Sequence, residues 1–592
     1  MGARARRPSR ERGHLKAEPR GPSRLWKAGL LAFGVTWLAA LVRWWPLTQF
    51  PVWGSDQGEY AALLEANIAT GGLLPATYTG WGGGYPDFKG MYVVAGAFSQ
   101  ISGLDPFLAL SLVIPAAASL TALLAFVVAL RLSGSLRAST AAGALVAVAM
   151  PEAFAGSHAM PGALGGMLAL AALAALVHTA REPLARLVVV AFVLALVPTH
   201  HLSAFLAGAM LAAAALFEAR TGPADVQRSR IVDTALLGAS LLVLLSSFFW
   251  AAGAPHFRAG VLDNTSPAIA RFLPGVALLA VVALVVLSMY FEALPRRQDR
   301  RVAIFDENAT LRRFALAIAC TAAAAAYVAT VGVPGTTAVV SPAVVLPFLP
   351  LGIALAAVVA GPGRLAPVRG ASIPLAACLG VALSGVIGAL ALPTILIPYR
   401  HLQYFVDAAS PLAAVAIVFA ARAVALHGLP GRRELQRALS AGLVVALVAG
   451  VSLSTYPSKE ALVGFQEGTA PAETAGVLWL SWFVPTTLVA TDHRLSSVVY
   501  GFAHHDATWE AGGPILVGDA ALGVPALDSV KSPRGASGVG VVLLSHDIVG
   551  GAALTQWDPT VPLSGAALAK FDNAPFVRAF DNGDAVAYWV AR

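Results

Sequence analysis

Residues 106–131 decide the fold class: PFLALSLVIPAAASLTALLAFVVALR carries no charge before Arg131. About 20 apolar residues are enough to cross a bilayer as a helix. Comparable stretches lie at 25–42, 106–131, 138–156, 161–180, 186–198, 202–218, 231–252, 272–292, 312–331, 342–360, 371–392, 406–425 and 437–455. The sequence therefore predicts a mainly α fold, a polytopic transmembrane helical bundle of about 13 spans. The two short stretches at 186–198 and 202–218 are open to interpretation as one interrupted span.

The composition of the 592-residue chain agrees with this prediction. Hydrophobic residues make up 57% and charged residues 12%, and the mean hydropathy is +0.72. Soluble proteins carry about 25% charged residues, so a soluble multidomain protein is excluded. Cys320 and Cys378 lie inside apolar stretches and form no metal or disulfide pattern. Because the net charge of +8 follows membrane topology, we expect no nucleic-acid partner.

The distribution of basic residues predicts the orientation of the chain. With a cytoplasmic N-terminus, 28 of the 40 Lys and Arg residues fall on the inner side, and the outer loops of the membrane region hold Arg43, Lys89, Arg258, Arg271 and Arg400. This asymmetry is the positive-inside pattern. An odd number of spans then places the C-terminal region outside. We predict a multi-pass protein of the cell membrane, with Arg43-Trp44-Trp45 as an interfacial belt.

Composition divides the chain into three regions. They are a basic, disordered cytoplasmic tail at 1–24, a membrane domain at 25–456 with a large first external loop at 43–105, and a small external α/β domain at 457–592. The last region holds 13 acidic and 7 basic residues, and its β-like runs lie at 487–490 and 539–544. Its Asn582-Gly583 pair predicts a type I′ hairpin turn.

The first external loop carries the candidate catalytic residues. It begins as FPVWGSDQGEY (50–60), continues as a helix through Ala69, and closes with YPDFK (85–89) before another apolar helix. A carboxylate such as Asp56 can act as a general base on a hydroxyl, and Glu59 lies one helical turn further on the same face. Alternatively, Ser55 or Asp56 caps the helix. The candidate substrate-binding residues of this loop are Tyr60, Asp87 and Lys89.

Cationic and imidazole side chains are predicted on the same membrane face. They are His158, His200, His201, Arg271, Arg400 and His401. His200 and His201 follow Pro198-Thr199 at the break between the two short stretches, and interrupted helices often line a cavity. A metal or anion site and a solvated loop both remain open for the two histidines. Arginines at helix ends also serve as interfacial anchors.

The membrane setting restricts the substrate. An outward-facing site has no access to cytoplasmic nucleotide sugars, and the chain contains no Walker or Rossmann motif. An activated donor must then come from the membrane, and a polyprenyl-phosphate-linked sugar satisfies this requirement. Arg400 would stabilise the negative charge on the leaving phosphate. The sequence therefore predicts an enzyme with a lipid-linked sugar donor, a glycan, lipid or protein acceptor, and the lipid bilayer as partners.

The chain resembles the GT-C superfamily of membrane glycosyltransferases, which includes protein O-mannosyltransferases, aminoarabinose transferases and oligosaccharyltransferase catalytic subunits. The resemblance rests on the acidic motif Asp56-Gln57-Gly58-Glu59-Tyr60 in the first external loop, on Tyr85-Pro86 at a helix entry, and on the order of elements. It implies a hexosyl or pentosyl transferase for cell-envelope glycosylation, with inversion and with Asp56 as base or as contact to a divalent cation.

Three motifs depart from that family. Gln57 replaces the acid of the usual Asp-Glu pair, residues 156–160 lack a second acidic motif, with Glu152 as the nearest acid, and no Trp-Trp-Asp-Tyr-Gly run is present. These departures favour a transferase that uses a lipid monophosphate sugar over a metal-dependent oligosaccharide transferase. Two alternatives are a transporter or flippase for a lipid-linked or anionic substrate, and a non-catalytic membrane scaffold.

Overall fold

The apolar stretches form bundled helices in a computed structural model of the chain. The structure describes residues 22–71, 82, 84–221, 226–263, 267–293, 307–330, 341–360, 370–391, 400–428, 432–462, 464–555 and 559–591. Within these ranges, nine helices are long and apolar enough to span a membrane, and one bent pair makes ten. Two shorter apolar helices and one at 307–330 occupy the other predicted spans. The predicted mainly α polytopic fold is therefore confirmed, while residues 1–21 of the basic tail lie outside the described residues.

The helices of the bundle are numbered in chain order. They are α1 Pro22–Trp44, α2 Gln57–Ala69, α3 Gly90–Ser102, α4 Pro106–Ser133, α5 Leu136–Val148, α6 Met150–Ser157, α7 Pro161–Thr179, α8 Ala185–Leu196, α9 His201–Thr221, α10 Val226–Phe248, α11 Pro255–Phe257, α12 Pro267–Ala293, α13 Glu307–Thr330, α14 Pro342–Val345, α15 Leu349–Ala356, α16 Ser372–Ala391, α17 His401–Gly428 and α18 Arg433–Ser452.

Local sequence sets the helix ends around the first long span. Asp105 caps α4 by accepting hydrogen bonds from the amides of Phe107 at 3.0 Å and Leu108 at 3.2 Å. Gly134, with a φ of 65°, ends the same helix in the left-handed conformation. The axes of α5 and α6 differ by 56° across Ala149, because Pro151 cannot continue the hydrogen-bond ladder of α5.

The core of the bundle is rich in alanine, which allows helices to approach closely. It also encloses an ion pair: Arg43 contacts Glu152 at 2.9 Å, and the hydroxyl of Thr121 donates to the same carboxylate at 2.8 Å. Arg43 has no exposed surface. The predicted interfacial position is therefore wrong for Arg43, because a buried acid from α6 attracts it inward.

The C-terminal region folds around a five-stranded sheet. Its strand order is β4-β3-β5-β7-β6, with β3 parallel to β4 and β5, and the other pairs antiparallel. The strands of this region are β2 Gly468–Thr469, β3 Leu488–Ala490, β4 Asp506–Ala507, β5 Val539–Ser545, β6 Phe576–Asp581 and β7 Ala585–Val590, while β1 Val52–Trp53 belongs to the first loop. Its helices are α19 Pro471–Phe483, α20 His493–Val498, α21 Gly513–Val517, α22 Ala520–Ser529, α23 His546–Gly551 and α24 Gly565–Ala569.

The predicted β-like runs correspond to β3 and β5, and the predicted hairpin is β6–β7. Its turn differs from the prediction. A type I′ turn needs positive φ at both central residues. Of Asn582 and Gly583, only Gly583 has it, with a φ of 93°.

The first loop and the C-terminal region are joined by hydrogen bonds. β1 pairs antiparallel with β2, which places Val52 opposite Thr469 and Trp53 opposite Gly468. At the start of α4, the ring of Phe107 packs edge-on against Phe502, with 4.6 Å between centroids. Because of these contacts, the first loop and the C-terminal region lie on one face of the bundle, and α2 of the first loop contacts the C-terminal region directly.

Candidate active site

Asp56 lies where the first loop turns into α2. The turn depends on Gly54, whose φ of 113° is strained for any residue with a side chain. Asp56 occupies the position before the first helical residue, but its side chain makes no capping hydrogen bond within this described segment. Instead, the hydroxyl of Tyr85 donates to Asp56 Oδ2 at 3.0 Å. The interpretation of Asp56 as a side-chain helix cap is therefore wrong.

Two tyrosines cover the carboxylate of Asp56. The rings of Tyr60 and Tyr85 lie 4.8 Å apart between centroids. Burial and the neighbouring charge of Asp56 raise the pKa of the Tyr85 phenol far above its usual value. Tyr85 therefore stays protonated and remains a hydrogen-bond donor to Asp56 over the physiological pH range.

Arg400, just before α17, supplies the positive charge of this region. It is half-buried and lies within electrostatic range of Asp56 and Tyr60. It also acts on His200 and His201. The structure thus brings these five sequence-predicted residues into one network, although they come from three separate parts of the chain.

The break between α8 and α9 is fixed against the first loop. The amide of Gly90 donates to the carbonyl of Pro198 at 3.0 Å. The ring of His201 then packs beside Phe88 at 5.3 Å and Phe257 at 4.7 Å. The break is therefore packed against the first loop, and His201 contacts the residues of that loop.

His200 belongs to a hydrogen-bonded chain that enters the bundle. Its Nδ1 lies 2.7 Å from Ser203 Oγ, and this hydroxyl lies 2.5 Å from the hydroxyl of Tyr404. Burial lowers the pKa of His200 well below its usual value, and the neighbouring His201 and Arg400 lower it further. His200 is therefore a neutral hydrogen-bonding group, and Arg400 supplies the cationic charge next to it.

Glu467 connects the start of α2 to the C-terminal region. Its Oε2 accepts a hydrogen bond from the amide of Ser55 at 3.1 Å and lies 3.4 Å from Nε2 of His158. Burial raises the pKa of Glu467, but the contact with His158 outweighs it, and the pKa is lowered on balance. His158, which was predicted as a substrate-binding residue, thus contacts Glu467 directly.

His493, at the start of α20, contributes a further imidazole beside Asp56. It is completely buried, and its Nδ1 lies 2.8 Å from Oε1 of the half-exposed Glu510. Burial lowers the pKa of His493, but the hydrogen bond to Glu510 and the charge of Asp56 raise it on balance. The ring is therefore hydrogen-bonded to Glu510 and interacts electrostatically with Asp56.

The pKa of Asp56 reflects all these neighbours. Burial raises it, and Glu467 adds to this effect, while His493, the hydrogen bond from Tyr85 and the charge of Arg400 lower it. On balance the pKa of Asp56 is raised above that of an ordinary aspartate. Such a carboxylate is a stronger proton acceptor than an exposed one, which is the property a general base requires.

Glu59 adjoins the C-terminal region, where its backbone amide donates to Ser497 Oγ at 3.1 Å. It is fully buried, and neither carboxylate oxygen has a hydrogen-bond partner among the described residues. Burial raises the pKa of Glu59 well above its usual value, with Arg534 as the opposing cation. The expectation that Glu59 shares the chemistry of Asp56 stays a prediction.

The remaining predicted residues have varied surroundings. Asp87 anchors α11, since its Oδ1 lies 3.0 Å from His256 Nδ1 and its Oδ2 accepts from the amide of Phe257 at 2.7 Å. Lys89 is half-buried at the start of α3, and His401 lies 3.0 Å from Ser384 through Nε2. The side chain of Arg271 lies outside the described residues.

Solved structures share this architecture. Archaeal oligosaccharyltransferase AglB from Archaeoglobus fulgidus, in complex with an inhibitory peptide and a dolichol-phosphate, superposes with a TM-score of 0.55 at 12% identity, covering 92% of this chain and 78% of that chain. An A. fulgidus oligosaccharyltransferase tethered to an acceptor peptide gives a TM-score of 0.54 at 14% identity, with 89% and 70% covered. This chain has the GT-C fold.

A more distant GT-C structure is ArnT from Cupriavidus metallidurans in the apo state. Its TM-score is 0.40 at 15% identity, with 95% of this chain and 98% of that chain covered. No family model and no curated protein matches the chain by sequence. The GT-C likeness is therefore a likeness of fold.

A divalent cation is the cofactor that the GT-C resemblance raised. Within the described ranges, no three His, Cys, Asp or Glu side chains converge in a way that would hold a metal ion. The phenol of Tyr85 donates a hydrogen bond to Asp56, and the imidazole of His493 interacts with it electrostatically. Among the described residues, this set of donors does not fit a metal ion.

Sequence reasoning missed two residues of this candidate site, Glu467 and His493. Both belong to the C-terminal region, which was predicted only as a small α/β domain without candidate site residues. A sequence pattern that could have pointed to His493 is the run Asp492-His493-Arg494, which places three ionisable residues shortly after the buried strand β3. Three charged or titratable residues that are buried at such a position need partners. For His493, Asp56 is one of the groups that interact with it electrostatically.

Proposed function

We propose that this chain is a membrane glycosyltransferase that moves a sugar from a polyprenyl-phosphate donor to an acceptor hydroxyl. The observation that carries the proposal is the placement of Asp56 and Arg400 in one electrostatic network beside the first loop. A carboxylate with a raised pKa suits a proton acceptor, and a guanidinium suits a phosphate. The GT-C fold and the dolichol-phosphate present in one similar structure support the same class.

In the proposed reaction, Asp56 removes the proton of the acceptor hydroxyl as its oxygen attacks the anomeric carbon. The bond from that carbon to the phosphate oxygen breaks on the opposite side, so the configuration is inverted. Arg400 stabilises the charge that develops on the leaving phosphate, and neutral His200 donates or accepts a hydrogen bond beside it. Base and cation then act on opposite sides of a sugar ring.

The proposed site faces outward. The positive-inside distribution supports an external first loop, and the pairing of β1 with β2 puts the C-terminal region on the same side. On that face the donor must arrive through the lipid, which supports a polyprenyl phosphate, with a hexosyl or pentosyl group to transfer. The acceptor is a glycan, a lipid or a protein, and the product belongs to the cell envelope.

The test uses the purified full-length protein with a panel of radiolabelled polyprenyl-phosphate sugars and candidate acceptors. We expect transfer from one donor and a loss of about 10²-fold or more in Asp56→Asn, because general-base catalysis contributes at least that much. Glu65→Gln, on the helix α2 that follows Asp56, is the matched control, and its transfer activity should stay near that of the wild type. A chelator arm measures any dependence on a divalent cation.

Three outcomes would contradict the proposal. Full activity in Asp56→Asn would remove its proposed base. Movement of the labelled lipid across liposome membranes without product would favour a transporter or flippase. Absence of both turnover and lipid movement, in protein that binds a partner, would favour a scaffold.

A further inference from the structure

A groove opens on the surface of the bundle between α12 and α16, over α9. Its volume is about 340 Å³, within the ~300–1,000 Å³ that is usual for ligand pockets. Its apolar walls are Phe217 of α9, Phe291 of α12, and Leu379 and Leu383 of α16. Leu379 and Leu383 are exposed. The groove is therefore open to the hydrocarbon of the membrane and is not sealed inside the bundle.

Main-chain atoms form the floor of this groove. A Cβ on Gly380 of α16 would lie 2.7 Å from the carbonyl oxygen of Ala209 and 3.0 Å from the Cβ of Ala213, both on α9. The two helices therefore touch almost backbone to backbone, an approach that small residues allow between membrane helices. Because the floor is backbone and not flexible side chain, the groove keeps its shape without a ligand.

The groove lies at the end of the bundle opposite the candidate active site. α9 begins at His201 and has 21 residues, which span about 30 Å, the thickness of a hydrocarbon core. The residues of α9 that line the groove lie between Ala213 and Thr221, in the half of the helix far from His201. A lipid that enters the groove therefore belongs to the leaflet opposite the candidate active site.

The far end of the groove carries a positive charge. Arg220 and Thr221, both exposed, line it at the last turn of α9. Arg228 and Glu292 already neutralise each other across a contact of 2.6 Å, and Glu218 is buried on another side of α9. An exposed guanidinium at the end of an apolar groove is complementary to a lipid with an anionic phosphate headgroup.

We propose that this groove binds one anionic glycerophospholipid. The guanidinium of Arg220 donates hydrogen bonds to the phosphate oxygens, and the first part of one acyl chain lies along the walls beside Phe217 and Leu379. The lipid holds the ends of α9, α12 and α16 together, and so stabilises this part of the bundle. The lipid-linked donor of the proposed function is used about 30 Å away, at the other end of α9, so the two lipid sites are separate.

The experiment titrates the purified full-length protein in detergent with phosphatidylglycerol, with phosphatidylcholine of the same acyl chains, and with polyprenyl phosphate, and counts bound lipids by native mass spectrometry. We expect the wild type to bind phosphatidylglycerol about tenfold more tightly than phosphatidylcholine, as one hydrogen bond to a charged group can contribute. Arg220→Gln should lose this preference. Leu379→Trp, which enlarges a wall of the groove, should weaken the binding of both phospholipids.

Arg181→Gln is the matched control. Arg181 is an exposed arginine that follows α7, and α7 begins beside His200, so Arg181 lies at the same end of the bundle as the groove but outside its lining. This variant loses the same charge from the same side of the protein, and its preference for phosphatidylglycerol should stay that of the wild type.

Four results would overturn this inference. They are a preference that persists in Arg220→Gln, an equal loss in Arg181→Gln, a wild type without preference, and tighter binding of polyprenyl phosphate than of phosphatidylglycerol in the groove. If Leu379→Trp does not fold, Arg220→Gln decides alone, because it changes only an exposed side chain. None of these measurements depends on sugar transfer, so failure here leaves the proposed function untouched.

Discussion

Gly58 of α2 lies directly against Gly501 of the C-terminal region, backbone to backbone. A Cβ on Gly501 would overlap the main chain of Gly58, and a Cβ on Gly58 would overlap the carbonyl of Ser497. The adjacent amide of Glu59 donates to Ser497 Oγ at 3.1 Å. The distance between the first loop and the C-terminal region is therefore set by two backbones, without a side chain that could adjust it.

Gly58→Ala should separate these two surfaces. The methyl group meets main-chain atoms, so we expect a cost at or above the ~1–3 kcal/mol of ordinary overpacking. Because Asp56 precedes this contact, activity should fall together with docking. Limited proteolysis between α18 and β2 and a transfer assay measure the two effects. Gly550→Ala is the control, because a Cβ there meets no atom within 4 Å, and it should change neither the proteolysis nor the transfer rate. Unaltered docking in Gly58→Ala would contradict the prediction.

The pH dependence of transfer should report the raised pKa of Asp56. A base acts only when it is ionised, so activity should fall as the pH drops through a midpoint above 3.8, the value of an ordinary aspartate. His493→Gln removes a group that lowers the pKa of Asp56, which should move this acid limb to still higher pH. The measurement is kcat/KM against pH. An acid limb that stays in place in His493→Gln would show that the two groups are not coupled.

Arg400→Gln should slow transfer by about 10²-fold, as the loss of one transition-state donor typically does. Arg400→Lys keeps the charge but not the planar fork, so partial activity is expected. Donor binding, measured separately with the polyprenyl phosphate alone, should weaken in Arg400→Gln. Arg258→Gln, an exposed arginine, is the control. Unchanged turnover and lipid-phosphate binding in Arg400→Gln would reduce Arg400 to an interfacial anchor.

Arg43→Met should destabilise the bundle strongly. It leaves the buried carboxylate of Glu152 without its cation, a change that costs about 3–5 kcal/mol. The double variant with Glu152→Met should recover most of the loss, because a buried ion pair contributes little relative to apolar packing. Thermal unfolding in detergent measures both. Arg24→Met, at the exposed end of the same helix, is the control and should unfold at the temperature of the wild type. If the double variant lost as much stability as Arg43→Met alone, this account would be contradicted.

The sequence predicted the helices well, because apolar length and helix caps are local properties. The motif at residues 50–60 was enough to predict the range of α2 and to select Asp56, the residue before it, as the candidate base. Arg43 was misplaced because its partner Glu152 is 109 residues away, and a residue at a helix end usually faces the interface. Glu467 and His493 were missed for the same reason. Glu467 matters because it accepts from the amide of Ser55, and His493 because it interacts electrostatically with Asp56, and no local pattern encodes either relation.

The contact between Ser55 and Glu467 spans 412 residues of the chain. During biosynthesis, Asp56 leaves the ribosome and enters the membrane long before its partners exist. The charge balance around Asp56 is completed only after the last helix has been inserted and the C-terminal region has folded. A half-made chain therefore carries an incomplete candidate site, and the order of synthesis delays its completion until assembly is finished.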